Sequence, residues 1–359
     1  MRIGIPREVK PHEGRVALIP AACADLVEAG HAVCVQAGAG LAAGHADAAY
    51  TSVGAALVAD ASALYASADL VVKVKEPQPE EYPLLRPDHL LFCFLHLAAS
   101  PPLARALRER GLTAVAFETV QEGDQFPLLA PMSDIAGRIA VQVGTHLLHC
   151  PQGGKGVLLG GTPGASRGRV VVIGAGAVGS SAVVTAAAAG AEVTVFARSP
   201  EQLARMRALG GNVTGLFPFR DDLRRAIRAA DLLIGAVYVA GARTPRLVDR
   251  ETVRSMERGS VIIDVSVDQG GCVETTRPTT YEAPTYVEEG VVHFGVTNMP
   301  GAVPRSASHA LSAVLAPYVL ALARPDWRET SAALAGAVNV TGGQLVHPAL
   351  TRLEMGIQK

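Results

Sequence analysis

The stretch Arg169-Val-Val-Val-Ile-Gly-Ala-Gly-Ala-Val-Gly179 constrains this chain more than any other. A β-branched run breaks into glycines at 174, 176 and 179 and continues into an alanine-rich segment. Val and Ile favour an extended strand, and the glycine spacing suits a strand-to-helix turn. Gly174 permits the tight bend, Gly176 lets backbone approach a pyrophosphate, and Gly179 allows close packing of helix on strand. Ala177 and Val178 lie in the same turn, at a helix N-terminus whose backbone N–H groups attract phosphate. Alone, the pattern is a weak signal, because glycine turns are common. Here a strand precedes it, residues 180–189 read as helix and residues 192–196 as a second strand, so the βαβ context is complete and the turn reads as a dinucleotide site.

Residues 170–191 carry no charge, so a membrane span has to be weighed. Glycines and serines interrupt the run, its strand-like and helix-like halves meet at the turn, and no other segment offers a second span. The N-terminal Met1-Arg-Ile-Gly-Ile-Pro-Arg-Glu8 opens as a short strand with charges close behind, unlike a signal peptide, and the chain reads as cytosolic with no membrane partner. Lys plus Arg number 32 against 33 for Asp plus Glu, and the net charge of −1 gives no electrostatic reason to expect nucleic acid. Five cysteines, at 23, 34, 93, 150 and 272, lack CxxC spacing, so neither a disulfide framework nor a metal site is expected. Cys93, between Phe92 and Phe94, reads as a core residue.

At 359 residues the chain has room for two domains with full cores. Before the glycine motif, strand patterns at 2–6, 31–36, 69–75, 89–95 and 113–117 alternate with helical patterns near 20–29 and 102–110. After it, strands at 192–196, 231–237, 260–265 and 291–296 alternate with helices at 200–209 and 221–230. This is the α/β rhythm of two doubly wound, Rossmann-like units. Longer helical stretches at 133–149 and 306–323 lead into and out of the second unit, and the residues beyond are too few for a third domain. The economical topology returns the C-terminus to the first unit. A dinucleotide-binding domain at 128–303 is then inserted into a substrate domain made of 1–127 and 304–359, with the two connecting helices as a hinge.

Ligands of open parallel sheets bind beyond the carboxyl ends of the strands, which selects particular polar residues. Arg15 follows the first strand by a short loop, Lys75 ends the 69–75 run and His96 ends the 89–95 run, so three parallel strands would bring them to one edge. Asp268, in Val267-Asp-Gln-Gly-Gly271, lies just past the 260–265 strand of the second unit. Each also has a plain reading: a solvated arginine, an edge lysine, a core histidine, a turn carboxylate. Together they suit a small anionic substrate. Arg15 would hold a carboxylate through its planar fork, Lys75 polarise a carbonyl, His96 exchange protons near neutral pH, and Asp268 orient water or stabilise a cationic iminium. Beside a nicotinamide this is amino-acid or hydroxy-acid dehydrogenase chemistry.

Motifs along almost the whole chain resemble those of the alanine dehydrogenase family. They are Gly4-Ile-Pro-Arg-Glu-Val-Lys10, Glu13-Gly-Arg-Val-Ala17, Val72-Lys-Val-Lys-Glu-Pro77, Phe94-Leu-His-Leu-Ala98, Pro131-Met-Ser133, Gly164-Ala-Ser-Arg-Gly168, Asp264-Val-Ser-Val-Asp-Gln-Gly-Gly271 and Asn298-Met-Pro-Gly-Ala-Val-Pro-Arg305. The resemblance implies Arg15 and Lys75 as substrate-binding residues and His96 and Asp268 as the acid–base pair. It places Ser133, Asn298 and the Val267–Asp268 turn around the nicotinamide. It also implies a homo-hexamer and reversible oxidative deamination of L-alanine to pyruvate and ammonium. A dehydrogenase of the same mechanism acting on another small amino acid is the alternative. The related nucleotide-binding subunit of proton-translocating transhydrogenase is a weaker one, since the Leu-His-Leu-Ala and Val-Asp-Gln-Gly-Gly signatures are not expected there.

One departure bears on the cofactor. The family ends its second nucleotide-domain strand with an Asp that accepts hydrogen bonds from the adenosine ribose. This chain has Phe196-Ala-Arg-Ser199, with Ala197 at that place. The anionic acceptor is lost, and Arg198 and Ser199 offer donors to a 2′-phosphate, so the reading favours NADP and leaves NAD open. Val237, Tyr238 and Ala240, in Val237-Tyr-Val-Ala-Gly241, fall beside the same nucleotide cleft.

Overall fold

The computed structural model describes residues 1–239 and 244–354. Six strands open the chain: β1 (Arg2–Ile5), β2 (Ala32–Gln36), β3 (Ala56–Val58), β4 (Leu70–Val72), β5 (Leu90–Cys93) and β6 (Thr113–Ala116). Seven follow: β7 (Arg169–Ile173), β8 (Glu192–Phe196), β9 (Val213–Leu216), β10 (Leu232–Gly235), β11 (Val261–Asp264), β12 (Thr285–Glu288) and β13 (Val291–Phe294). Two short strands, β14 (Val338–Thr341) and β15 (Gln344–Leu345), come last. They form two sheets, and the chain divides into two compact units, residues 1–132 with 301–359 and residues 133–300.

The first unit holds a sheet in the order β15-β14-β6-β5-β4-β1-β2-β3. From β3 to β6 every pair is parallel, and β14 adds antiparallel to β6. Strand order reverses between β1 and β4, the switch point of a doubly wound sheet. Strands β4 and β5 are buried on both faces, which is why they read as unbroken apolar runs. A core of Leu64, Val71, Leu91, Leu103, Leu107 and Ala114 packs on this sheet.

The second unit repeats the plan in the order β12-β13-β11-β10-β7-β8-β9, with only β12 antiparallel. Its switch point falls between β7 and β10. Val171, Ile173, Leu223, Ile227, Leu233 and Ile262 belong to its own core. The expected α/β class with two Rossmann-like units is therefore the architecture observed. Element ends differ by up to three residues, as in β4, which stops at Val72 where the pattern extended to 75. Beyond it the chain bends at Val74 and Lys75 but stays bonded to the β5 segment, with Lys73 N–H donating to the Phe92 carbonyl and Phe94 N–H to the Val74 carbonyl. The N–H of Val74, however, is taken by the Glu8 carboxylate at 2.6 Å, and a ladder cannot continue through it.

Candidate functional site

In the first unit, Arg15, Lys75 and His96 lie past the carboxyl ends of β1, β4 and β5, three adjacent parallel strands that include the switch point. Arg15 is 2% exposed, so the plain reading of a solvated surface arginine does not hold. Its Nε donates to Glu13 Oε1 at 2.7 Å and its Nη2 to Glu13 Oε2 at 2.5 Å, while Nη1 lies 3.1 Å from the Met132 sulfur. Thus the Nε–Nη2 edge of the fork, expected to face a substrate, is engaged by a buried carboxylate two residues away. Lys75 is half-buried, and its backbone N–H lies 3.4 Å from Glu8 Oε1. Beneath it, the Lys73 ammonium is fully buried, 2.6 Å and 2.7 Å from the Glu81 oxygens and 3.6 Å from Glu8 Oε2. Burial pushes the Glu8 carboxyl up to about 7, with Lys73 only partly offsetting it.

His96 is one of four described non-glycine residues with positive φ, at +47°. Such backbone is strained for a side chain with a β-carbon and persists only where neighbours impose it. Here Glu118 does so: its Oε1 accepts the His96 N–H at 2.6 Å, and its Oε2 lies 3.2 Å from the Leu95 N–H. The turn throws the imidazole outward, 47% exposed, stacked on Phe94 at 5.7 Å with Nδ1 4.0 Å from the Glu118 carboxylate. His96 is thus no core histidine. Cys93 is fully buried, and burial holds its thiol well above the ordinary range.

In the second unit, the three glycines of the motif separate into distinct tasks. Gly174 has φ +103°, and a Cβ there would lie 2.5 Å from the Ala236 carbonyl. A Cβ on Gly179 would lie 1.9 Å from the Gly174 carbonyl, so helix Ala177–Ala188 can sit this close to the strand only with glycine. A Cβ on Gly176 would meet nothing within 4 Å. Gly176 and Ala177 are exposed, Val178 is half-buried, and no side chain caps the helix. That open cradle at a helix N-terminus fits a dinucleotide pyrophosphate.

Across the switch point, the Ser266 hydroxyl accepts from Val237 N–H at 3.0 Å and donates to Val237 O at 2.8 Å, tying the ends of β10 and β11. Asp264 organises the turn that follows. Fully buried, it accepts from the N–H groups of Ser266, Cys272 and Val273 and from Thr276 Oγ1, and burial still raises its pKa. This turn buries Val267 and leaves Asp268 exposed beyond the end of β11. Ser133 is half-buried on helix Ala130–Leu147, and Asn298 holds φ +60°.

At the adenosine end, Ala197 is buried with its N–H on the Leu216 carbonyl, whereas Arg198 is exposed and makes no ion pair among the described residues. Ser199 caps helix Pro200–Arg207: its hydroxyl accepts from Gln202 N–H at 3.2 Å and donates to Glu201 Oε2 at 2.6 Å. The proton expected for a phosphate is thus committed to a carboxylate, which that bond keeps below its usual pKa. Tyr238 is exposed past β10, and Ala240 lies outside the described residues.

Sequence reasoning missed the carboxylates that hold these groups. Glu13 stood two residues from Arg15, a visible charge pair, and Glu8 sat inside a quoted motif. Glu118 reaches His96 across 22 positions and left no local signal. Among the described residues no group of side chains suits a metal ion, and no helix is long and apolar enough to cross a membrane.

Comparison with known proteins gives this geometry a context. Residues 4–136 match the family model "Alanine dehydrogenase/PNT, N-terminal domain", and residues 140–348 match "Alanine dehydrogenase/PNT, C-terminal domain". An alanine dehydrogenase of Bacillus subtilis is 46% identical over 357 residues, 98% of this chain and 94% of that protein. A solved L-alanine dehydrogenase is 48% identical with a TM-score of 0.95, covering 99% of both chains. A solved transhydrogenase from Sinorhizobium meliloti is similar at 26% identity and a TM-score of 0.83, covering 97% of this chain and all of that one. The likeness to the transhydrogenase is the weaker on both measures.

Proposed function

Because the chain belongs to the alanine dehydrogenase/PNT family, we propose that it is a nicotinamide-dependent oxidoreductase that deaminates L-alanine reversibly to pyruvate and ammonium. The observation that carries this reading is the emergence of Arg15, Lys75 and His96 past adjacent parallel strands, at a switch point where a small anionic ligand would be held. Unit 1 is then the substrate domain and unit 2 the dinucleotide-binding domain.

Each residue has a defined task in that reaction. Arg15, oriented by Glu13, binds the carboxylate of the 2-oxo acid by charge-assisted hydrogen bonds. Lys75 polarises the carbonyl oxygen as a compact cation. His96, held on its strained turn by Glu118, donates and accepts the proton at that oxygen as carbinolamine and ketone interconvert. Asp268 stabilises the cationic iminium or orients the attacking water. A dinucleotide with its pyrophosphate on the turn of Gly174, Gly176, Ala177, Val178 and Gly179, and with Val237 beside it and Ser133, Val267 and Asn298 around its nicotinamide, would supply the hydride exchange. The family resemblance also supports a cytoplasmic homo-hexamer.

For the cofactor we favour NADP. Ala197 removes the carboxylate that would repel a 2′-phosphate, and Arg198 is the donor for it. Glu201 works against this preference and sets its margin. The deciding experiment follows reduced nicotinamide for the native chain with alanine, serine, glycine and 2-aminobutyrate, each with NAD and NADP. Alanine and NADP are expected to give the highest kcat/KM. His96→Ala and Asp268→Ala should each lower kcat more than tenfold, about 1.4 kcal/mol, without changing cofactor affinity. Arg198→Ala should lose about one to two decades of NADP efficiency while sparing NAD. Near-native turnover in either acid–base variant removes that residue from the mechanism, and equal indifference of both cofactors to Arg198→Ala makes it an ordinary exposed arginine.

A further inference from the structure

Of the eight phenylalanines in this chain, two stand out in solvent: Phe217 at 45% and Phe219 at 63% exposure. Both sit in the Phe217-Pro-Phe219 turn that leaves the carboxyl end of β9. The turn is compact, with Phe219 N–H donating to Phe217 O at 2.8 Å and Pro218 restricting the backbone between them. The two rings lie 5.0 Å apart between centroids at 49°. Phe219 then provides the residue before helix Arg220–Arg228, where a polar cap would be favoured, and it makes no side-chain cap. Exposing two aromatic rings side by side has no folding benefit. Such a patch points to something that covers it.

The position of the turn identifies the occupant. β9 pairs in parallel with β8, Phe196 opposite Leu216, and Ala197 N–H donates to the Leu216 carbonyl. Phe217 therefore starts level with Ala197 and Arg198, on the same carboxyl edge as the glycine turn after β7. Running from β7 to β9 crosses two strand spacings of about 4.8 Å each, or roughly 10 Å. That is the reach from a pyrophosphate on the glycine turn through one ribose to its base. The sequence along the edge is then a cradle for diphosphate, a strand end that reads the ribose, and an aromatic pair.

We propose that Phe217 and Phe219 form a stacking platform for the adenine ring of the cofactor, so that base stacking and the Arg198 contact replace the ribose carboxylate the family uses. The inference rests on the dinucleotide reading of the second unit. Stacking suits a flat heterocycle and does not depend on the 2′-substituent, so the platform raises affinity for both dinucleotides while Arg198 chooses between them.

The test is direct binding to the full-length protein by calorimetry, using ADP-ribose, its 2′-phosphate derivative and nicotinamide mononucleotide. Phe217→Ala and Phe219→Ala should each weaken both adenosine ligands about tenfold, the size expected for one lost base–aromatic stack. Nicotinamide mononucleotide should bind unchanged, and Phe219→Tyr should bind like the native chain. Since both rings are exposed, the alanine variants should keep the native melting temperature. Native ADP-ribose binding that both alanine variants retain within twofold overturns the platform alone. So does an alanine variant that changes the oligomeric mass while binding normally, because the rings would then face protein. A native chain that binds neither ADP-ribose nor its 2′-phosphate derivative overturns the platform together with the dinucleotide reading.

Discussion

Arg15 shows why residue type and position do not fix a side chain's surroundings. Its place after β1 was legible, but its burial against Glu13 was not, because burial depends on what later segments fold over it. Deleting the cation would break the buried Arg15–Glu13 ion pair, a change that costs about 3–5 kcal/mol in buried pairs, so an alanine variant confounds folding with binding. Arg15→Lys keeps the charge and loses the planar fork. It should remain folded, raise KM for pyruvate about tenfold and leave the cofactor dissociation constant unchanged; an unaltered KM would take Arg15 out of the substrate site. Glu8 carries a pH signature of its own. Its folded pKa of about 7 exceeds the ordinary 4.5, so the folded state holds a proton that the unfolded chain releases. The stability from this group is full below 4.5 and is lost as pH rises toward 7. Glu8→Gln removes that slope: the unfolding free energy of the native chain minus that of the variant should fall between pH 5 and pH 7.5 in urea titrations, and a flat difference would refute the assignment. His96 was legible as an edge residue from its strand, whereas the left-handed turn beneath it depends on Glu118, which the chain supplies from another strand's end.

At the scale of elements, the strand–glycine–helix unit was the most legible part, because its constraints are local. β7, the turn and helix Ala177–Ala188 occupy one continuous segment, and each glycine's task follows from its neighbours within a few residues. β9 was missed for the opposite reason. Val213-Thr-Gly-Leu216 carries a glycine, alternates weakly in burial, and is a strand only because β8 lies beside it. β3, three residues long, and the antiparallel edge strand β12 likewise depend on partners. The glycines give a paired prediction. Gly176→Ala has room for its methyl group in the fold, so it should melt like the native chain, while losing about tenfold in dinucleotide affinity where the methyl meets a phosphate. Gly179→Ala forces a Cβ onto the Gly174 carbonyl, and overpacking of this kind should lower the melting temperature by about 5 °C as well as weaken binding. Thermal melts and cofactor titrations of the two variants should therefore separate. If Gly176→Ala binds normally, the open space above the turn is not where the diphosphate lies.

Across the whole molecule, the doubled α/β rhythm was legible because each unit is long enough to show its own alternation of strands and helices. The exact division was not, since a helix pattern at 133–149 looks the same whichever unit its first turn joins; in the structure the division falls at 132/133, inside helix Ala130–Leu147. Each sheet has its own buried cluster, with Leu64, Leu91 and Leu107 in one and Val171, Leu233 and Ile262 in the other. The second unit is also one continuous stretch of chain, residues 133–300, whereas the first is assembled from two. A continuous segment with a complete sheet and its own core has what a domain needs to fold alone. The fragment 128–303, which keeps the connecting helix whole, should therefore be soluble, melt in one cooperative transition and bind ADP-ribose within about threefold of the full chain, while showing no turnover with alanine because Arg15, Lys75 and His96 are missing. Calorimetry and circular dichroism on the fragment check this. Should it melt without a transition, or bind ADP-ribose far more weakly than the intact protein, then residues 1–132 and 301–359 are part of the dinucleotide domain's stability, and the insertion is not an independent folding unit.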